Sequence, residues 1–132
     1  MAVDCKTEVA GGFRQIVQVD AHTLHADVKP AQGGQDSAPG AHEYFDVSLA
    51  TCKALTATWY AKKNGIPLDR VEAHVERDDS REREGTYVLK VSLAFFGSLS
   101  DAQKQKLHDV VGRCPIHKLM TTTKVEIETQ PL

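Results

Sequence analysis

Between Tyr44 and Asn64 the chain runs twenty-one residues without a proline or a glycine, and Gly65 and Pro67 then close the run. Glycine at the residue after a helix and proline just beyond it are stop signals, so the spacing predicts a helix over 44–64. Phe45, Leu49, Cys52, Thr56 and Trp59 recur at intervals of four, three, four and three, which is one helical face. Val47, Ala50, Ala54, Leu55 and Ala61 fill much of the remainder. A helix apolar on most sides is buried, so this one is expected to run through the core with Cys52 on a mainly apolar stripe.

Shorter signals flank it. Residues 1–28 read as three N-terminal strands: Val3 to Val9 with alternating polarity, Phe13 to Val19 after the turn signal Gly11-Gly12, and His22 to Val28 after Asp20-Ala21. Residues 29–41, broken by Pro30, Gly33-Gly34, Asp36-Ser37 and Pro39-Gly40, read as a long loop. Val71, Ala73 and Val75, then Tyr87, Leu89, Val91, Leu93 and Phe95, alternate with other residues and predict a hairpin over 70–96. The mixed-sign run Glu76 to Glu84 reads as its solvated tip. Ser100 and Gln103 form a capping box that opens a helix ending near Gly112, and Pro115 suits the first position of a second helix, so helices are expected over 100–120. Val125 and Ile127 predict a last strand over 123–129. The order βββ-α-ββ-α-α-β is an α+β class, with the long central helix packed on an antiparallel sheet.

A length of 132 residues suits a single domain with a hydrophobic core, residues 1–132. The formal net charge is −2 and the basic residues do not gather, which argues against nucleic acid or an anionic membrane as a partner. No apolar stretch approaches the roughly 20 residues of a membrane span. Without an apolar signal core in Met1 to Glu8, the expected location is the cytoplasm. Three cysteines, an odd number, fit a reducing compartment, where a bridge is transient and functional rather than structural.

Cys52 and Cys114 lie 62 positions apart, so only folding can bring them together. If it does, they form a thiol pair that cycles between dithiol and disulfide; if not, Cys52 is core packing. Thiolates react and thiols hardly do. Cys114, at the N-cap of the helix that Pro115 opens, faces unpaired N–H groups and a positive dipole end, with His117 three residues on. Cys52, mid-helix among apolar neighbours, is inert unless a cation reaches it. Arg14 and Arg113 are the candidates; Lys53 projects about 100° away around the helix and is set aside. Cys5 has no motif around it. Cys114-Pro-Ile-His117 would be half of a metal site, but His22, His25, His42 and His74 supply no second ligand pair, so neither metal nor cofactor is expected.

These residues resemble the OsmC/Ohr family, the osmotically inducible and organic-hydroperoxide-resistance proteins, over nearly the whole chain, and fit a less characterised OsmC-like subgroup. The resemblance lies in His22-Thr-Leu-His-Ala-Asp27, the Gly33-Gly34 loop, Ser48-Leu-Ala-Thr-Cys-Lys-Ala-Leu-Thr56 leading into Tyr60-Ala-Lys-Lys-Asn-Gly65, and Arg113-Cys-Pro-Ile-His117. It implies a thiol-dependent peroxidase working as an intertwined homodimer, with active sites at the subunit interface, a hydroperoxide substrate and a dithiol reductant. By position it makes Cys52 the peroxidatic residue and Cys114 the resolving one, joined transiently as a disulfide. The activating Arg and carboxylate fall on Arg14 and Glu43. Where many relatives read Pro-x-Glu-Leu-Leu this chain reads Ala41-His-Glu-Tyr-Phe-Asp46, so Asp46 is a second candidate for the carboxylate. A non-enzymatic reading competes: a dimeric module binding a small apolar ligand along Phe45, Leu49 and Trp59, with Cys52 as packing.

Overall fold

A computed structural model describes residues 1–132, which form a mixed α+β structure with three helices and antiparallel sheets. The chain divides into two compact units, residues 1–45 and 46–132.

In the first unit, β1 (Val3–Thr7), β2 (Gln15–Val19) and β3 (His22–Ala26) make a three-stranded sheet in that order. The register sets Cys5 beside Val17 and Val17 beside Leu24. Asp20, at φ +49°, makes the tight β2–β3 turn, a conformation that Asp tolerates better than most residues. The loop after β3 is organised rather than loose. It folds over the buried Asp27 carboxylate, which accepts from the N–H groups of Val28 (2.8 Å), Gln35 (3.2 Å) and Ser37 (3.0 Å) and from the Ser37 hydroxyl (2.6 Å). The hydroxyl bond foremost, then the N–H bonds, hold Asp27 well below the usual carboxylate range. Gly34 is required there, because a Cβ would run into the Val28 carbonyl and the Asp27 carboxylate. A 3-10 turn, Pro30–Gln32, lies within the stretch read as loop.

Helix α1 spans Ala41–Lys63, starting three residues before the sequence expectation, and its residues from Asp46 onward belong to the second unit. Its end follows the stop signal. Gly65 takes φ +65°, and the Ile66 N–H reaches back to the Ala61 carbonyl at 2.9 Å. Strands β4 (Leu68–Asp78) and β5 (Val88–Gly97) form the hairpin, with Val75 opposite Val91 and Ala73 opposite Leu93. Helix α2 (Asp101–Val111) carries the capping box of Ser100 and Gln103, and α3 (Pro115–Thr121) follows with Cys114 as its N-cap. Ala57 and Ala61 of α1 pack with Phe95, Leu107 and Val111 into the core of this unit.

Two expectations are corrected. Residues 123–129 form no strand; Val125 and Ile127 are exposed and no strand of this chain pairs with them. A short alternating segment becomes a strand only when a ladder partner supplies its hydrogen bonds. Nor is α1 buried on most sides. Its buried stripe is Leu49, Lys53, Ala57 and Ala61, while Phe45, Val47, Leu55 and Trp59 stay exposed. The small side chains of Ala57 and Ala61 let α1 approach the core closely, and the bulky apolar residues face outward.

Candidate functional site

Helix α1 presents Cys52 and Lys53 side by side in sequence but to different surroundings. Cys52 is half-buried, touches the Thr56 hydroxyl at 3.9 Å, and lines an open cleft of about 590 Å³. Leu55, Trp59 and Ile116 give that cleft its apolar walls, and Ser48 and Thr51 edge it. Lys53 instead turns inward and is buried.

The Lys53 ammonium meets the junction between α2 and α3. Helix α2 ends at Val111, and its last carbonyls lack helical partners and carry the negative dipole end. Lys53 Nζ donates to the Val111 carbonyl at 2.8 Å, so a cation caps this helix terminus. The same Nζ lies 3.8 Å from Cys114 Sγ and 3.2 Å from His117 Nδ1. Since an ammonium has no lone pair, His117 Nδ1 accepts, which favours the Nε2–H tautomer.

Cys114 is completely buried. Burial pushes its thiol up first of all. The His117 backbone N–H pulls it down, the neighbouring Cys52 thiol raises it by hydrogen bonding, the Lys53 charge pulls it down, and the charge of an ionised Cys52 raises it again. Cys114 makes no well-formed side-chain cap of α3, so the advantage expected from its N-cap position is outweighed by desolvation. The Cys52 thiol is near enough to raise that of Cys114, and in this structure both are free thiols.

Of the other predicted residues, Arg14 and Glu43 belong to the first unit. Arg14 pairs with Glu8 at 2.6 Å and donates to the Ser37 hydroxyl at 2.8 Å. Glu43 lies beside Gly40 and lines a polar pocket with Lys29 and Asp36. Asp46, in the second unit, pairs with Arg77 at 2.6 Å and accepts from the Tyr87 hydroxyl at 2.8 Å. Arg113 is exposed.

The structure therefore brings together Cys52, Cys114 and a cation, but that cation is Lys53, the one set aside from the helical angle. The 100° step from Cys52 is real; the thiol it serves most directly is Cys114, across the fold. A signal for it was present. In the four-residue repeat Leu49, Lys53, Ala57, Ala61 a lone charge interrupts a stripe of apolar residues, and a lysine buried there must find acceptors. Arg77 was hidden in the charged run read as a solvated tip, although it lies within β4, one residue before its end, and holds Asp46.

A family model described as OsmC-like protein matches residues 34–130. No curated protein sequence matches the chain. Among solved structures it is similar to a putative osmotic stress induced and detoxification response protein from Psychrobacter arcticus 273-4 (16% identity, 89% of this chain and 88% of that one, TM-score 0.73). It is also similar to an organic hydroperoxide resistance protein OsmC from Legionella pneumophila (17% identity, 92% and 88% covered, TM-score 0.64). A third is the organic hydroperoxide resistance protein OhrB of Bacillus subtilis (21% identity, 92% and 90% covered, TM-score 0.60). At these identities the likeness is one of fold. No helix is long and apolar enough to cross a membrane.

Proposed function

The chain belongs to the OsmC-like protein family, and from that premise together with the geometry of Cys52, Lys53 and Cys114 we propose that it is a thiol-dependent peroxidase acting on organic hydroperoxides or peroxide. The observation that carries the reading is the asymmetry of the thiol pair. Cys52 opens onto an apolar cleft that suits an alkyl hydroperoxide, and its buried neighbour Cys114 lies against a cation.

The Cys52 thiolate attacks the terminal peroxide oxygen. An S–O bond forms, the O–O bond breaks, and the alkoxide leaves as an alcohol after taking up one proton. Cys52 is then a sulfenic acid. Attack by the Cys114 thiolate on the Cys52 sulfur expels hydroxide, which leaves as water, and gives the Cys52–Cys114 disulfide. An external dithiol returns both residues to thiols and is itself oxidised to a disulfide. Arg14 and Glu43 complete the activating network on the strength of the family resemblance, with Asp46 as the other carboxylate. The exposed apolar face of α1 supports an intertwined homodimer with the active sites at the subunit interface.

Stopped-flow reaction with an alkyl hydroperoxide, following oxidation of Cys52, tests this. Oxidation well above the rate of free cysteine is expected, and a rate no faster than free cysteine overturns it. The apolar cleft also favours the competing reading, a binder of a small apolar ligand with Cys52 as packing. In Cys52→Ala a binder keeps its ligand affinity and a peroxidase loses turnover.

A further inference from the structure

Lys53 carries a buried charge to which the peroxidase scheme gives no task. Its neighbours are the Val111 carbonyl, Cys114 Sγ and His117 Nδ1, none of them a carboxylate. A desolvated ammonium so placed gains most when negative charge appears on the sulfur 3.8 Å away. The two sulfurs differ in access. Cys52 lines the open cleft, whereas Cys114 is 0% exposed. In a disulfide joining them, an incoming thiolate reaches Cys52, and the sulfur expelled is Cys114.

We infer that Lys53 is a positioning residue for the reductive half of the cycle, holding Cys114 as the leaving thiolate when an external dithiol attacks the Cys52 side of the disulfide. This rests on the peroxidase reading only for the existence of that disulfide. In the step, a new S–S bond forms between the dithiol and Cys52. The Cys52–Cys114 bond breaks, and its electron pair goes to Cys114. The second thiol of the reductant, as thiolate, then attacks the mixed disulfide, releases Cys52 and closes the oxidised dithiol. Exchange is faster when the leaving thiol is more acidic, so a cation at the leaving sulfur accelerates it. The other groups facing Cys114 are Cys52 from α1 and the His117 N–H from α3, and burial opposes the charge. Lys53 is therefore the cation that offsets the desolvation of a thiolate in this position.

The test starts from disulfide made with diamide, so it does not depend on peroxide reactivity. A limiting amount of glutathione is added, the reaction is quenched with acid, and the mixed disulfide is located by peptide mass spectrometry. Glutathione is expected on Cys52 with Cys114 free. Reduction by dithiothreitol is expected to slow roughly tenfold or more in Lys53→Met and to recover in part in Lys53→Arg. In a Cys52→Ser background, where Cys114 titrates without its partner, Lys53→Met is expected to raise the pH midpoint of Cys114 thiolate absorbance by about one unit or more. Glutathione on Cys114, failure of the pair to form a disulfide with diamide, or an unchanged rate and midpoint in Lys53→Met each overturn the inference. The mapping in the unmutated protein decides the direction of attack even if Lys53→Met does not fold. Slow reaction with hydroperoxide alongside normal behaviour of the diamide-made disulfide would sink the peroxidase reading and leave this inference standing.

Discussion

Asp27 in the first unit and Lys53 in the second are each 5% exposed, yet their surroundings differ in kind. The Asp27 carboxylate is solvated by three backbone N–H groups and one hydroxyl, none of which titrates in the ordinary range. Those donors are fixed once the loop is folded, so the charge works as a peg on which residues 28–37 hang. The Lys53 ammonium has one backbone carbonyl and then a thiol and an imidazole, both able to change protonation or form bonds. A charge surrounded by inert dipoles contributes to structure. A charge surrounded by reactive groups is under-compensated until one of them becomes an anion, and the comparison therefore assigns structure to Asp27 and chemistry to Lys53.

The largest expected effect lies on the chemistry side. With the dithiol limiting, steady-state peroxide turnover in Lys53→Met is expected to fall roughly tenfold or more, while the first oxidation of Cys52 is affected less. Comparing multiple-turnover with single-turnover rates makes the check. Equal losses in both phases would move Lys53 from the reductive half to the attack itself.

The second effect is on stability and should differ in size between the two charges. Met has nearly the volume of Lys and needs no acceptors, and replacing an under-compensated buried charge by an apolar side chain is often neutral or stabilising. Lys53→Met is therefore expected to change unfolding free energy by no more than about 1 kcal/mol, in either direction. Asp27→Asn removes the charge that four donors address and is expected to lower the thermal midpoint. Urea and thermal melts of both variants test the pair; a large loss in Lys53→Met with none in Asp27→Asn would reverse the assignment.

How much of this was legible in the sequence follows from how local each determinant is. The helix stop at Gly65, the capping box at Ser100 and Gln103, and the alternation across β4 and β5 are all written within a few residues, and the structure places elements there. The buried face of α1 was not. Phe45, Leu49, Cys52, Thr56 and Trp59 formed the most apolar stripe, but which stripe is buried is settled by the partners, and Phe95, Leu107 and Val111 select the one with small residues. The strand expected over 123–129 failed for the same reason, since pairing needs an edge that no pattern in the segment specifies. At the site, the motifs around Cys52 and Cys114 single out both thiols, whereas the surroundings of Lys53 lie across the fold, on Val111, Cys114 and His117, and no pattern within its own helix specifies them.

A third and smaller effect is the acid side of the comparison. Because Asp27 is depressed when folded, the unfolded chain binds its proton first as pH falls. The stability Asp27 contributes is complete above its ordinary value of about 4 and declines below that. Melting midpoints taken below pH 5 should drop more steeply in the unmutated protein than in Asp27→Asn. Parallel curves would mean that the loop donors do not depend on the charge.

The smallest effect concerns a carboxylate that falls between the two cases. Asp46 is solvated by side chains, the Arg77 guanidinium and the Tyr87 hydroxyl, of which only the tyrosine titrates within reach. Burial first, and then the Asp46 hydrogen bond and charge, push Tyr87 up to about 12. An unfolded tyrosine loses its proton near pH 10, so between about 10 and 12 the folded state holds a proton that the unfolded state has released. Stability contributed by this pair is thus complete below pH 10 and is lost as pH rises through that window. Tyr87 keeps some contact with water, and after screening the loss is expected to be about 1 kcal/mol or less. Tyr87→Phe should reduce the slope at the cost of one hydrogen bond, roughly 1 kcal/mol at neutral pH. Urea midpoints measured from pH 9 to the onset of alkaline unfolding give the answer. An undiminished slope in Tyr87→Phe would show that the alkaline loss does not come from Tyr87, leaving Asp46, like Asp27, beside donors that stay fixed over this range.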